Sequence, residues 1–157
     1  MTLVDQVGVE KFRHRTEEIL AAQPFFAWLG ARVIGLGEGR CEIALRLREE
    51  LLNDRGTLQA TVLYAMLHAA TFVASRTLAR DRAEMDFHQE MKINFIKALG
   101  DPRQTITARG RALHRGRRSA VVEGEVCSET GELIAKALGT IAVLGAGEPP
   151  NRGSEIT

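Results

Sequence analysis

Apolar and charged residues alternate at helical spacing near the start of the chain. Phe12, Ile19 and Leu20 recur among charged residues over 8–22, and Pro24 ends the run. A spacing of three to four residues places apolar side chains on one face of a helix, which a proline cannot continue. The pattern predicts an amphipathic surface helix over residues 8–22.

Two strands are predicted after a short apolar piece at Phe25–Leu29. Residues 31–36 and 40–47 carry the strand pattern, and Gly37-Glu38-Gly39 separates them. Glycine adopts positive φ without strain, as tight hairpin turns require. We therefore expect a β-hairpin here.

The segment 58–79 has no charged residue before Arg76 and is rich in Ala and Leu. These residues favour a helix, and its nearly apolar circumference must be covered on most sides. Polar residues interrupt the segment, and it is marginally short for a membrane span. A buried helix surrounded by a sheet is the better interpretation.

Everything after this helix has the pattern of strands. Four are predicted, at 87–97, 104–113, 117–128 and 133–144, with a loose tail over 145–157. In the first of them, Phe87 and the following odd-numbered apolar residues are assigned to one face and His88 to the other. The result is an α+β domain at 24–144, in which a curved antiparallel sheet wraps a long central helix, with the extra N-terminal helix (1–23) packed on it.

Composition narrows the functional classes. Hydrophobic residues make up 45% and charged residues 26%, and the formal net charge is +1. This balance is typical of a globular protein and gives no overall attraction to nucleic acid or to an anionic membrane. Cys41 and Cys127 lack CxxC spacing, and no signal peptide is recognisable, so a reduced, cytoplasmic setting is expected.

Four separate stretches carry a resemblance to a known family, and their order and spacing make it specific. They are Phe25-Phe26-Ala27-Trp28-Leu29-Gly30, Leu52-Asn53-Asp54-Arg55-Gly56-Thr57, Met91-Lys92-Ile93-Asn94-Phe95-Ile96-Lys97-Ala98 and His114-Arg115-Gly116-Arg117-Arg118-Ser119-Ala120-Val121-Val122-Glu123. From Pro24 to Leu144 the chain resembles the thioesterase superfamily of the phenylacetyl-CoA thioesterase type. The resemblance implies the hot-dog fold and hydrolysis of acyl-CoA to free acid and CoA.

The chain departs from the family pattern at the helix start. Family members usually carry Asn-x-x-Gly-x-x-His-Gly-Gly there, with an Asp or Glu nine residues after the His. This chain keeps Asn53 and Gly56, has Gln59-Ala60-Thr61 in place of His-Gly-Gly, and has His68 at the carboxylate position. The resemblance implies that the N–H of Ala60 polarises the thioester carbonyl, as a helix N-terminus can. Asn53 and Gln59 are candidates for an additional side-chain donor. The alternative for Asn53 is that it only shapes a turn.

Two histidines are candidates for the general base. His68 lies where the family has its carboxylate, and a neutral imidazole acts as a base near pH 7. The alternative is a hydrogen-bonded core histidine. His88 matches a position on the next strand that some hot-dog thioesterases use for catalysis. The alternative interpretation is that His88 is an exposed strand residue without a catalytic role. His14 and His114 are assigned structural roles.

Arg115, Arg117 and Arg118 surround a predicted hairpin turn at Gly116. Guanidinium groups bind phosphates bidentately, so this hairpin is a candidate site for the phosphates of CoA. The alternative is a solvated hairpin tip. No metal-ligand spacing is present, and no cofactor is expected, since CoA is part of the substrate.

Spacing along the helix predicts an oligomer. Ala60 and His68 are about 12 Å apart on one helix at 1.5 Å per residue, too far to act on one carbonyl carbon. A site that uses both needs the helix start of one protomer and His68 of another, in a homodimer or homotetramer. The sequence therefore predicts an acyl-CoA thioesterase; a non-catalytic acyl-CoA or acyl-carrier binding protein is the alternative.

Overall fold

The computed structural model describes residues 6–81 and 83–145. Its helices are α1 (Gln6–Ala22), α2 (Pro24–Leu29) and α3 (Ala60–Arg76), and a 3-10 turn spans Glu49–Leu51. Its strands are β1 (Arg32–Gly37), β2 (Arg40–Arg46), β3 (Met85–Phe95), β4 (Thr105–Arg115), β5 (Ser119–Cys127) and β6 (Leu133–Leu144). The predicted helices and strands are all present, with shifted ends, and the apolar piece before β1 forms the short helix α2.

The six strands form one antiparallel sheet in the order β1-β2-β4-β5-β6-β3. Helix α3 packs against β2, β3, β4, β5 and β6, so the sheet curves around it. Most of the apolar side chains of α3 are buried against the sheet, including Met66 and Leu67 at 0% exposure. The predicted α+β hot-dog fold is confirmed.

Two glycines bring the sheet close to α3. A Cβ on Gly110 of β4 would lie 2.2 Å from the carbonyl oxygen of Ala70, and one on Gly124 of β5 would lie 2.9 Å from the side chains of Leu67 and Thr71. Only glycine leaves room for the helix backbone at Gly110. The depth at which α3 sits in the sheet is therefore set by these positions.

The hairpin of β1 and β2 is fastened to the far end of α3. Gly39 has φ +66° at the turn, as expected for a tight hairpin. Its N–H donates a buried hydrogen bond of 2.7 Å to Oγ1 of Thr77, just after α3. This bond satisfies a backbone donor that the turn would otherwise bury unpaired.

The predicted faces of β3 are wrong at its start. The pairing of β3 with β6 shifts between His88 and Glu90, so the strand contains a β-bulge. A bulge inserts one residue and exchanges the two faces beyond it. Asp86 and His88 therefore face α3, whereas Phe87 is 44% exposed. Beyond the bulge, Met91 and Ile93 pack on the core as predicted.

Helix α1 packs on α2 and β1. The proposed division at residues 23/24 stays a prediction, and the tail from 146 onward lies outside the described residues. Within the described part of the chain, no helix is long and apolar enough to cross a membrane.

Candidate active site

The loop before α3 is built around Asn53. Its Oδ1 accepts hydrogen bonds from the N–H groups of Arg55 (3.0 Å) and Thr57 (3.1 Å), and its Nδ2 donates to Oγ1 of Thr57 (2.9 Å). Gly56 follows in the loop with φ +71°. These local bonds occupy the amide of Asn53, as in other Asx turns. These bonds fit the turn-shaping alternative for Asn53, and its role as a donor at the site stays a prediction.

The start of α3 presents backbone donors. Gln59 is the N-cap residue, its side chain makes no capping hydrogen bond, and its Nε2 reaches only the carbonyl of Leu52 at 3.4 Å. Ala60 and Thr61 follow as the first helical residues, and both are exposed. Their N–H groups lie before the first intrahelical hydrogen bond. An anionic oxygen would meet free donors and the positive end of the helix dipole there.

His68 lies in an aromatic row along α3. Its ring is stacked between Tyr64, with a centroid distance of 6.3 Å, and Phe72, at 6.2 Å. The ring of His88 from β3 lies 4.3 Å from that of His68. The structure therefore brings together the two histidines that the sequence proposed as bases.

A hydrogen bond to Thr71 orients the ring of His88. The Thr71 hydroxyl donates to the carbonyl of Leu67 at 2.8 Å, and its oxygen lies 3.1 Å from Nε2 of His88. With the Thr71 hydroxyl proton directed to the Leu67 carbonyl, Nε2 of His88 is assigned as the donor to the Thr71 oxygen. The neutral ring then carries its lone pair on Nδ1. That atom is buried and has no hydrogen-bond partner among the described residues.

Both histidines are held in the neutral form. Burial lowers the pKa of His68 below its ordinary value. Burial, and next the adjacent His68, lower the pKa of His88 to about 4, although Asp86 acts in the opposite direction. Desolvation disfavours the cation, and two adjacent imidazoles cannot both be protonated without repulsion. At neutral pH the pair offers lone pairs and no positive charge.

Arg115 is not available for phosphate binding, contrary to the expectation from sequence. Its side chain is 5% exposed, and its guanidinium binds both oxygens of Asp86 (2.7 and 2.9 Å) and a carboxylate oxygen of Glu84 (2.8 Å). It also donates to Oγ of Ser75 at 2.6 Å. A buried guanidinium with this many acceptors is an internal ion-pair centre that joins β4, β3 and α3.

Arg117 and Arg118 lie at the exposed tip of the β4–β5 hairpin. Among the described residues, neither forms an ion pair, so their guanidinium groups are accessible to an anion. The contact between Arg115 and Ser75 places this hairpin near the C-terminal end of α3. Ser75 is about 22 Å from Ala60 by the rise of the helix, so the arginines and the helix start lie at opposite ends of α3.

Neither cysteine is a candidate nucleophile. Cys41 and Cys127 are both free and buried. Burial, with the nearby Glu42, raises the pKa of Cys41 to about 12, and burial also raises the pKa of Cys127. Both thiols are therefore protonated at neutral pH and unreactive. Within the described residues, no three His, Cys, Asp or Glu side chains are grouped to hold a metal ion. The expected absence of a cofactor stays a prediction.

Sequence reasoning missed Thr71 and Asp86. Thr71 is three residues after His68, on nearly the same helix face, and Asp86 is two residues before His88 on the strand. These spacings were visible in the sequence. The bulge that turns Asp86 and His88 toward α3 carries no comparable signal.

Comparison with known proteins gives consistent matches. A family model described as "Thioesterase superfamily" matches residues 56–135. A protein of Saccharolobus solfataricus with a provisional esterase name is 30% identical over 82% of this chain and 89% of its own length. A variant of the phenylacetic acid degradation protein PaaI from Thermus thermophilus has a TM-score of 0.70 at 30% identity, covering 78% of this chain and 100% of that one. A thioesterase family protein from Silicibacter pomeroyi has a TM-score of 0.76 at 25% identity, covering 85% and 98%.

Proposed function

Because the chain belongs to the thioesterase superfamily, we propose that it is an acyl-CoA thioesterase that hydrolyses a CoA thioester to a free acid and CoA. Family membership and the esterase names of its relatives support thioester hydrolysis in general. The proposal goes further in three respects: the substrate is a thioester of CoA, His68 and Ala60 are catalytic residues, and the protein is a homodimer.

One observation carries the proposal: the neutral, closely packed rings of His68 and His88. Their centroids are 4.3 Å apart, and Nδ1 of His88 is a buried acceptor without a partner among the described residues. Two buried imidazoles in contact, both with lowered pKa values, are typical of a functional site, and the neutral ring of His68 can accept a proton.

The proposed chemistry is direct attack of water. His68 takes a proton from water as its oxygen attacks the thioester carbonyl carbon, and the N–H of Ala60 stabilises the oxyanion. The tetrahedral intermediate then collapses, the C–S bond breaks, and the thiolate of CoA accepts the proton from His68. His88, whose Nε2 lies 3.1 Å from the Thr71 hydroxyl, is the second candidate for the base.

The test of this function is an assay of the purified chain against acyl-CoAs of graded chain length and aromaticity. Release of free CoA, followed with a thiol reagent, is the expected result. Saturable binding of acyl-CoA with no release at any chain length would instead support the non-catalytic binding protein.

A homodimer is part of the proposal. Ala60 and His68 lie about 12 Å apart on α3, so one carbonyl can meet both only when they come from different protomers. Strand β3 lies at the edge of the sheet and exposes Phe95 at 54%. An unprotected edge strand with apolar side chains is suited to pairing with a second copy.

We predict that two complementary variants regain activity when mixed. Ala60→Pro removes the N–H of Ala60 but suits the first helical position, and Gln59 (φ −64°, ψ 133°) already has the conformation that a following proline favours. Ala60→Pro and His68→Ala should each be inactive alone. After mixed refolding, about a quarter of wild-type activity should return, since half of random dimers contain one intact site. No recovery from a mixed dimer, or a monomer by light scattering at micromolar concentration, would contradict the two-chain site.

The hairpin arginines are predicted to bind the phosphates of CoA. Replacing Arg117 and Arg118 by Ala should raise KM for acyl-CoA about tenfold and leave KM for the matching acyl-pantetheine unchanged, because the latter lacks the nucleotide phosphates. The double variant Arg32→Ala/Arg46→Ala removes two exposed arginines from β1 and β2 and controls for net charge. Equal losses for both substrates would indicate a structural role for the hairpin.

A further inference from the structure

A cavity of about 550 Å³ lies between α1 and α3. The two helices make little direct contact, and the space between them is walled by both and by α2. Its wall includes the aromatic rings of Phe12, Phe26 and Phe72, and the aliphatic side chains of Ile19 and Leu20. A largely apolar cavity of this size falls within the range of about 300–1,000 Å³ that is usual for small-molecule sites.

The same cavity is bordered by a candidate catalytic residue. His68 belongs to its wall, next to Ala69 and Phe72 on α3. Among the wall residues that the structure describes, the charged ones are Arg15 and Arg76, both cationic. An anionic ligand with an apolar body would therefore meet no carboxylate from these residues.

We propose that this cavity binds the acyl group of the substrate, and that this group is a long or bulky apolar chain such as decanoyl. The assignment rests on the proposed thioesterase activity, since His68 would place the thioester at the cavity wall. A water-sized group takes about 30 Å³, so the three heavy atoms of an acetyl group would fill only roughly a sixth of the cavity. Helix α1, outside the segment that matches the family model, then determines the chain length.

Binding of free acids tests the cavity without any hydrolysis. We expect calorimetric titration with butyrate, hexanoate, octanoate and decanoate to show Kd falling about threefold to fourfold per added methylene, as burial of each CH₂ predicts. Phe12→Ala should weaken the binding of decanoate about tenfold and change the binding of butyrate little. Ala69→Leu, which adds bulk to the wall, should weaken decanoate more than butyrate.

Matched controls come from residues outside this cavity wall. Phe25→Ala changes a 52%-exposed phenylalanine of α2, and Ala22→Leu adds the same bulk to an exposed position of α1. Both should bind decanoate like wild type. If Ala69→Leu fails to fold, Phe12→Ala in the outer helix still decides the question.

Different results would overturn the proposed acyl-binding cavity and the proposed thioesterase activity. Acids that bind independently of chain length, or with equal affinity to pocket and control variants, would overturn the cavity assignment even if acyl-CoAs are hydrolysed. Chain-length-dependent binding that Phe12→Ala weakens, without hydrolysis of any acyl-CoA, would keep the cavity and overturn the catalytic proposal. With hydrolysis, kcat/KM should follow the same chain-length order as the acid affinities.

Discussion

Replacing His68 by alanine should lower kcat for acyl-CoA hydrolysis by a hundredfold or more, with little change in acyl-CoA affinity. General base catalysis typically contributes about 10²–10⁴ to the rate, and this contribution arises in the transition state. His68 is bordered by aromatic rings, and no hydrogen bond to its side chain is formed among the described residues, so its removal leaves no buried partner unpaired. Steady-state kinetics with free-CoA detection gives the measurement.

Two further variants make the comparison specific. His88→Ala tests the adjacent ring, and His14→Ala removes an exposed histidine of α1 that should not affect the rate. Full turnover by His68→Ala, with the oligomer intact, would remove His68 from the mechanism and make His88 the base. Loss in both histidine variants would indicate that the pair acts together, and non-additive effects in the double variant would measure this coupling.

The pH profile distinguishes the two bases. A base works when it is neutral, so kcat/KM should be flat above its pKa and fall tenfold per pH unit below it. An ordinary imidazole would give this fall near pH 6.5. Because burial lowers the pKa of His68, we expect the fall to begin below that value. A fall only near pH 4 would instead match His88, whose pKa is lowered to about 4.

Replacing Arg115 by methionine should destabilise the fold by about 3–5 kcal/mol. The substitution leaves Asp86, whose side chain is 0% exposed, without its bidentate partner, and breaking a buried ion pair in this way costs about that much. Urea unfolding at a fixed protein concentration measures it, since unfolding of a dimer depends on concentration. Asp86 is two residues before His88, so loss of this anchor should also disturb the histidine pair.

Arg111 on the same strand provides the control. It pairs with Glu123 at 2.6 Å, but its side chain is 52% exposed. An exposed ion pair contributes about 0–1 kcal/mol, so Arg111→Met should change stability little. Equal effects of the two substitutions would show that the Arg115 cluster is solvated and does not stabilise the fold as a buried centre. Adding Asp86→Asn to Arg115→Met should recover part of the loss, because it removes a buried charge that keeps only the longer contact with Arg76 (3.5 Å).

The order of elements and the fold were predictable because they depend on local patterns. The helical spacing in α1, the uncharged segment of α3 and the strand-type segments after it each reflect which side chains must be buried. The family motifs at Asn53–Gly56 and after α3 then identified the fold as the hot-dog fold. The helix start at Ala60 and both histidines were identified in the same way, from position relative to those motifs.

Two features of the site depended on tertiary structure. The bulge in β3 exchanged the faces of the strand, so that His88 meets His68 and Phe87 faces outward. A bulge results from pairing with β6, and nothing in the residues of β3 alone specifies it. Likewise, nothing in the sequence distinguishes the three arginines of Arg115-Gly116-Arg117-Arg118. In the structure, only Arg115 lies beside the carboxylates of Glu84 and Asp86.

The fold, the family and the candidate residues could be predicted from the sequence, because burial patterns and motif spacing act over short distances along the chain. Tertiary structure decided which candidates meet. It brought the His88 ring to Thr71 and His68, turned Arg115 inward, and left a cavity between α1 and α3 that neither helix predicts alone. These outcomes depend on the packing of segments far apart in the chain, where a shift of one residue in register changes which side chains touch.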